Sequence, residues 1–303
     1  MAHTPWGEIP VADAHVHFFS HRFYAALAAQ KGVAGPEALG PLLDWEIPPA
    51  NNAALAQRWV AELDRHSVAR AALIASIPGD ENSVAEAVAA APGRFYGYFM
   101  VDPTQPDAAD RIARAAADHR LHCICLFPAM HAYSVAESRL MPIFEIAASH
   151  SQAVFVHCGA LSVGVRKKLG LPSRFDMRYS NPLDLHPVAH RFPTLRFIVP
   201  HFGAGLFREA LMLADLCPNV WLDTSSGNRW MAYEHLDLRT VFRRALDLLG
   251  PGRLVFGTDS SFFPRGWHSA IFEQQTTALY ELGLSKDQAE KILCRNLEQI
   301  FGT

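Results

Sequence analysis

Two patterns of apolar positions alternate along the chain: short runs rich in Val, Ile, Phe and Tyr, and longer segments whose apolar residues recur at three- and four-residue spacing. The runs "PVADAHVHF", "RAALIASI", "RFYGYFMV", "LHCICLFP", "QAVFVHCG", "LRFIVPHFG", "NVWLDTS" and "RLVFGTD" predict eight strands. Between them the helical spacing predicts amphipathic helices, among them those over 53–66, 83–91, 108–119, 135–150, 206–216 and 236–249. "SVAE", beginning at Ser134, and "SKDQ", beginning at Ser285, match capping boxes and predict helix starts. Eight strand–helix pairs are the count of a (β/α)8 TIM barrel, so the expectation is an α/β fold with one domain over residues 1–303. A doubly wound open sheet is the rival, but the Gly-rich phosphate turn expected after its first strand is missing. The stretches 20–52 and 160–181 are too long for ordinary βα loops. Both are expected as insertions at the end of the barrel where active sites are built.

The ends of these strands carry the chemistry. Asp13, His15 and His17 alternate in "VADAHVHFF", which predicts that they share one face of a strand, ~6.5 Å apart along it. His157 ends the fifth strand, His201 the sixth and Asp259 the eighth, and Asp259 reads as the only carboxylate among these groups. Each histidine alone is more often a packed or surface residue. Barrel closure, however, would bring four imidazoles and a carboxylate from four parts of the sequence to one mouth, a coincidence packing does not explain. Neutral imidazoles with a carboxylate suit zinc or a similar divalent ion.

Composition narrows the partners. The 303 residues are 50% hydrophobic and 19% charged with a formal net charge of −3, so no basic field recruits nucleic acid or an anionic membrane. The expected partners are a small-molecule substrate and copies of the chain itself. "MAHTPWGEIP" lacks the pattern of a signal peptide, and no apolar run approaches the ~20 residues that span a bilayer, so a cytoplasmic location is expected. Five cysteines without CxxC spacing argue against a disulfide framework or a cysteine zinc site. Cys158, beside His157, could be a nucleophile, but a small buried strand residue is the commoner role.

The loops suggest what the mouth holds. Arg166, Lys167, Lys168, Arg174 and Arg178 lie in the 160–181 stretch, and Arg229, Trp230, Phe262, Phe263, Arg265 and Trp267 follow the last two strands. Arginine forks suit carboxylates and aromatic rings give flat apolar walls, which together predict a carboxylated, planar or unsaturated substrate. Arg174 and Arg178 lead, with Asp176 between them to fix their orientation, and Arg229, Phe262, Arg265 and Trp267 are further substrate-binding candidates. A single loop arginine is more often a solvated charge than a ligand contact.

"DAHVHF", "VHCG", "PHFG", "FGTD" and the terminal "KILCRNLEQIFG" resemble, in this order, the amidohydrolase superfamily, in the branch that contains aminocarboxymuconate-semialdehyde decarboxylase. The resemblance implies that His15, His17, His157 and Asp259 bind one divalent metal, with zinc expected. It makes His201 an acid or electrostatic stabiliser, and gives Asp259 the further task of accepting a proton from the attacking water. It also implies a homo-oligomer, expected as a dimer. Binuclear members carry a bridging lysine late in the fourth strand, where this chain has Cys125, so one metal is expected. The leading activity implied is metal-dependent hydrolysis of a small, carboxylated ester, lactone or amide. Non-oxidative decarboxylation of an unsaturated or aromatic carboxylate is the alternative, followed by a metal-independent lactonase or a non-catalytic binding barrel. The last is disfavoured because so many buried polar groups are costly without an ion or chemistry to satisfy them.

Overall fold

The protein is described here from a computed structural model covering residues 1–225 and 228–302. Eight parallel strands form the barrel: β1 (Ala12–Phe18), β2 (Arg70–Ala75), β3 (Phe95–Val101), β4 (Leu121–Leu126), β5 (Ala153–Val156), β6 (Arg196–Val199), β7 (Val220–Asp223) and β8 (Leu254–Val255). Each pairs with its sequence neighbour. The seam between β1 and the segment after β8 closes through a parallel bridge between Val16 and Ser260, with Ala14 N donating to Phe256 O (2.8 Å), His17 N to Ser260 O (2.7 Å) and Asp259 N to His15 O (2.9 Å). A hairpin of Ala2–Thr4 and Gly7–Ile9 precedes the barrel.

The helices that follow the strands are α1 (Asn52–Arg65), α2 (Glu81–Ala90), α3 (Ala108–Ala116), α4 (Met141–Ser149), α5 (His186–Arg191), α6 (Phe207–Leu216), α7 (Leu238–Leu249) and α8 (Ser269–Glu281). Their apolar faces, with alternate strand residues such as Val16, Phe18, Leu73 and Phe99, build a core between barrel and helix ring. The other strand face points inward, where Tyr98, Cys123, Cys125, Phe155 and Val255 fill the barrel. No helix among the described residues is long and apolar enough to cross a membrane.

The capping box at Ser285 forms with both of its hydrogen bonds and starts the helix Lys286–Glu290. The match at Ser134 forms the Glu137 side-chain bond to Ser134 N (2.8 Å) without starting a regular helix. There α4 begins only at Met141, with Pro142 in its first turn, a position where a missing N–H costs nothing. Both long βα stretches carry structure. The first contains a helix over His21–Lys31 and a short one over Leu39–Leu43, and the second a helical turn over Gly164–Lys168. Phe23, Tyr24, Leu27, Leu39, Leu43, Val165 and Leu169 pack the two insertions into one apolar cluster of their own.

The expectation that Asp13, His15 and His17 share a face is corrected by a bulge in β1. The β1–β2 register passes from Asp13 opposite Ala71 to Val16 opposite Leu73, so three steps on one strand match two on the other. Ala14 and His15 both turn inward, His15 against the ring of inward-facing Phe155 (centroids 5.3 Å). Asp13 is left behind the seam, where its carboxylate accepts from His15 N (2.9 Å), Thr258 N (3.1 Å), Trp267 Nε1 (2.8 Å) and the Thr258 hydroxyl. Burial pushes this carboxyl up to about 6, although these donors favour the charged form.

Gly159, two residues beyond His157, has φ +75°, and a Cβ there would lie 2.0 Å from Gly203 O and 2.5 Å from Ala204 O. The strand-end turns of "VHCG" and "PHFG" therefore pack backbone against backbone, which only glycine permits. Gly159→Ala is expected to destabilise the fold by about 2–4 kcal/mol through overpacking and a disfavoured φ, read as a lower urea midpoint at unchanged slope. An unchanged midpoint would show that these turns are not tightly docked.

Candidate metal centre and active site

His15 and His17 project from the end of β1 and Asp259 from the turn after β8, and their ligand atoms all lie within 4.8 Å of one another. His15 Nε2 is 3.4 Å from His17 Nε2, and Asp259 Oδ1 is 3.4 Å from His17 Nε2 and 3.7 Å from His15 Nε2. Asp259 reaches this position from a left-handed backbone, φ +59°, sparsely populated for a non-glycine residue. Gly257 lets the turn lie close to its neighbours, since a Cβ there would come within 2.7 Å of Asp223 Oδ1 and 2.9 Å of His15 Cβ.

Hydrogen bonds behind the rings hold their orientation. His15 Nδ1 lies 2.7 Å from the fully buried Asp223 carboxylate, which cannot donate, so the imidazole donates there. Burial opposes the charged form of His15, but Asp223 outweighs it and holds this imidazole above its ordinary value. The Ser76 hydroxyl donates to Ile74 O (3.0 Å), leaving its oxygen to accept from His17 Nδ1 (2.8 Å). The Nε2 atoms of both rings consequently face each other and the Asp259 carboxylate. Burial works against that carboxylate's charge, yet the His17 contact and the surrounding imidazoles keep it well below the usual range. With each Nε2 deprotonated, two lone pairs and an anion converge as a donor set that fits a divalent cation, and the His15–Asp223 pair is the carboxylate–histidine arrangement that orients metal-bound imidazoles.

Two more histidines border the cluster. His157 stacks on Phe127 (5.3 Å, 24°) and lies 5.4 Å, ring to ring, from His201, outside the tight group of three. Its Nδ1 is buried without a hydrogen-bond partner among the described residues, and burial, with His201 and His15 close by, keeps it neutral, far below its ordinary value. His201 sits in a left-handed turn, φ +54°, ending β6. Its Nδ1 is 2.9 Å from Ser225 Oγ, which is 3.0 Å from His15 Nδ1. His201 Nδ1 also lies 3.4 Å from Ser225 O, and in the tautomer in which the Ser225 hydroxyl donates to Nδ1, His201 presents Nε2–H on the other side of the ring. Burial and nearby His15 also lower His201, favouring the neutral form.

These groups form the floor of a cavity of about 710 Å³. Its walls include Phe19, Trp45 and Phe262, with Trp45 stacked on Phe262 at 3.8 Å and 10°. Four cations reach it. Arg166 is engaged by Gln30 Oε1 (2.6 Å) and Pro172 O, Lys168 by Leu43 O (3.1 Å), and Arg265 by Asp259 O (3.1 Å) and Ser261 Oγ (3.0 Å) while lying over Phe262. Among the described residues no hydrogen bond or ion pair occupies Arg174, which is exposed at the rim.

Several sequence candidates lie elsewhere. Arg178 does pair with Asp176 (2.6 Å), but that pair holds it on the surface, its side chain 84% exposed and outside the cavity. Arg229 is exposed and does not line the cavity. Trp267 is buried behind the seam, bonded to Asp13 and, through its backbone N–H, to Glu62 Oε1 (2.9 Å). Cys158 packs into the outer core, where burial raises its thiol far above the ordinary value, so it is no nucleophile in this cavity. Cys125 is likewise buried inside the barrel with a raised thiol. Sequence reasoning missed Asp223, Ser225 and Ser76. Asp223 corrects the reading of Asp259 as the only strand-end carboxylate, and its place at the end of "VWLD" was the available signal. Two isolated serines gave none.

The sequence matches the amidohydrolase family over residues 12–303. A curated relative, Protein fluG of Emericella nidulans, is 32% identical over 85 residues, 28% of this chain and only 10% of that protein's length. Among solved structures, 5-carboxyvanillate decarboxylase from Sphingomonas paucimobilis is 17% identical with a TM-score of 0.66, covering 97% of this chain and 99% of that one. A probable 2-pyrone-4,6-dicarboxylic acid hydrolase from Acinetobacter baumannii, with citric acid bound, is 16% identical at a TM-score of 0.63, covering 97% and 100%. A 5-carboxyvanillate decarboxylase mutant from Novosphingobium aromaticivorans, crystallised with bound manganese, is 16% identical at 0.64, covering 97% of each chain. At these identities the likeness is one of fold.

Asp223→Ala removes the partner that orients His15 without touching the three converging ligand atoms. Zinc affinity of the metal-stripped protein is expected to fall about 10–100-fold by titration calorimetry while the circular dichroism spectrum is kept. Unchanged affinity would mean that Asp223 serves only the core.

Proposed function

Since the chain belongs to the amidohydrolase family, we propose that it is a metal-dependent enzyme acting on a small, planar, carboxylated substrate, and that its reaction is hydrolysis of an ester, lactone or amide. The observation that carries this reading is the meeting of His15 Nε2, His17 Nε2 and an ionised Asp259 at the floor of an aromatic-walled cavity. His157, neutral and bordering the group, is the proposed fourth ligand, and zinc the proposed ion. When bound, such an ion supplies Lewis acidity to a substrate carbonyl or carboxyl group.

The remaining work falls to this chain's own residues. Asp259, held in its anionic form, accepts the proton of the attacking water. His201 offers Nε2–H to the oxygen on which negative charge develops. Trp45, Phe262 and Phe19 fix the plane of an unsaturated or aromatic substrate. Arg174 meets its carboxylate at the rim, the role for which Arg178 and Arg229 are too far outside the cavity. We propose further that the enzyme acts in the cytoplasm and, as the family resemblance implies, as a homodimer.

Decarboxylation is the second reading, favoured by the flat stack of Trp45 on Phe262, which suits an aromatic carboxylate better than a tetrahedral centre. There the bond from ring carbon to carboxylate breaks, its electron pair stays on the carbon, and His201 is the donor that replaces the lost group with a proton. Assaying the metal-loaded protein against lactones and aromatic carboxylates separates the two. Acid release without CO₂ supports hydrolysis, stoichiometric CO₂ supports decarboxylation, and neither product from any member of the panel contradicts both.

His201→Ala is expected to lower kcat by about two to four orders of magnitude with metal content unchanged. If His201→Ala strips the metal while His157→Ala retains it, the two roles are exchanged. Arg174→Met is expected to raise KM for a carboxylated substrate about tenfold and to leave KM for its ester unchanged, with Arg178→Met altering neither. Equal effects of Arg174→Met on acid and ester would remove Arg174 from substrate binding.

A further inference from the structure

A second cluster of ligating atoms lies at the other end of the barrel from the mouth. His186 and His190 stand one turn apart on α5, on the same face, with ring centroids 4.5 Å apart, and Cys217 terminates α6. One ligand atom from each of the three lies within 4.8 Å of the others. Since α5 leads into β6 and Cys217 precedes β7, the group sits at the N-terminal end of the barrel, opposite the cavity.

The backbone around this group is fixed before any ligand arrives. Cys217 N donates to Leu213 O (2.9 Å), and Cys217 O accepts from Val220 N (3.1 Å) and Arg253 Nη2 (2.7 Å). Asn219, two residues on, donates its side-chain amide to Ala189 O (3.1 Å), Phe192 O (3.1 Å) and Leu195 O (3.0 Å), fastening the end of α5 to the segment that carries the thiol. Val188 and Ala189 are the buried residues of α5. Cys217 is buried, whereas His186 is half-buried and His190 exposed, so the group opens to solvent on one side.

We propose that His186, His190 and Cys217 form a second metal site, selective for a borderline-soft divalent ion such as zinc. Two imidazoles and a thiolate match that ion's preference for nitrogen and sulfur, and hard ions such as magnesium or calcium are refused by the same set. Binding converts the Cys217 thiol to a thiolate and releases its proton to solvent. The ion ties α5 to the α6 terminus, with its fourth position left to water from the open side. The site is independent of the reaction proposed at the mouth, whose ligands are imidazoles and a carboxylate.

Cobalt(II) reports on this site specifically, because a thiolate ligand gives a near-ultraviolet charge-transfer band that the His15, His17 and Asp259 group cannot produce. Titrating cobalt(II) into the full-length, reduced, metal-stripped chain is expected to give a thiolate band that saturates within two equivalents per chain, one for each proposed site, and is displaced by zinc and not by magnesium. Cys217→Ser should abolish the band, and His190→Gln, at an exposed position that leaves folding undisturbed, should weaken cobalt affinity at least about tenfold. Absence of the band from the unmutated protein, its persistence in Cys217→Ser, or unchanged affinity in His190→Gln would each overturn the proposal.

Discussion

The seam where the first and last strands meet is the constraint on which the candidate site depends. The buried Asp13 carboxylate holds it, taking hydrogen bonds from both sides: His15 N in β1, Thr258 after β8, and Trp267 beyond. The bulge that leaves Asp13 outside turns His15 inward beside His17. Asp259 hangs on the same seam through its backbone bond to His15 O, so three ligating groups are positioned by one stretch of barrel closure. A buried carboxylate with several donors is costly to replace, since losing it strands those donors away from water.

Orientation comes from the next layer out. Asp223 holds His15, Ser76 holds His17, and Ser225 links His15 to His201. Each of these bonds uses an Nδ1 atom, and the Nε2 atoms are thereby turned toward the cavity. The surrounding burial keeps His17, His157 and His201 below their ordinary values, and so neutral, while Asp259 stays charged. Asp223 favours a proton on His15, which a cation displaces on binding, and the set then offers lone pairs and one negative charge to that cation.

The sequence made the barrel legible because its two periodicities alternate eight times, and His15, His17, His157, His201 and Asp259 stood out because they end strands. What it concealed follows from physics that acts between strands. A bulge is a relation between neighbours, so the alternation alone places Asp13 on one face with His15 and His17 when it is the clamp behind them. Arg178 and Trp267 had the right chemistry but different partners, Asp176 and Asp13, that no spacing rule reveals. Asp223 could have been noticed as a strand-end carboxylate in "VWLD", whereas Ser76 and Ser225 matter only through the rings they touch. The capping pattern at Ser134 formed its local bond, and the later proline-bearing start at Met141 decided where the helix began.

The central claim is that the lone pairs of the first strand's histidines and the Asp259 carboxylate are arranged to hold a cation. The most direct measurement is a crystal structure of the zinc-loaded protein with anomalous differences recorded at the zinc edge. The account predicts a peak bonded to His15 Nε2, His17 Nε2 and the Asp259 carboxylate, with Asp223 still on His15 Nδ1. No anomalous peak among these groups, or an ion bound through either Nδ1, would contradict it.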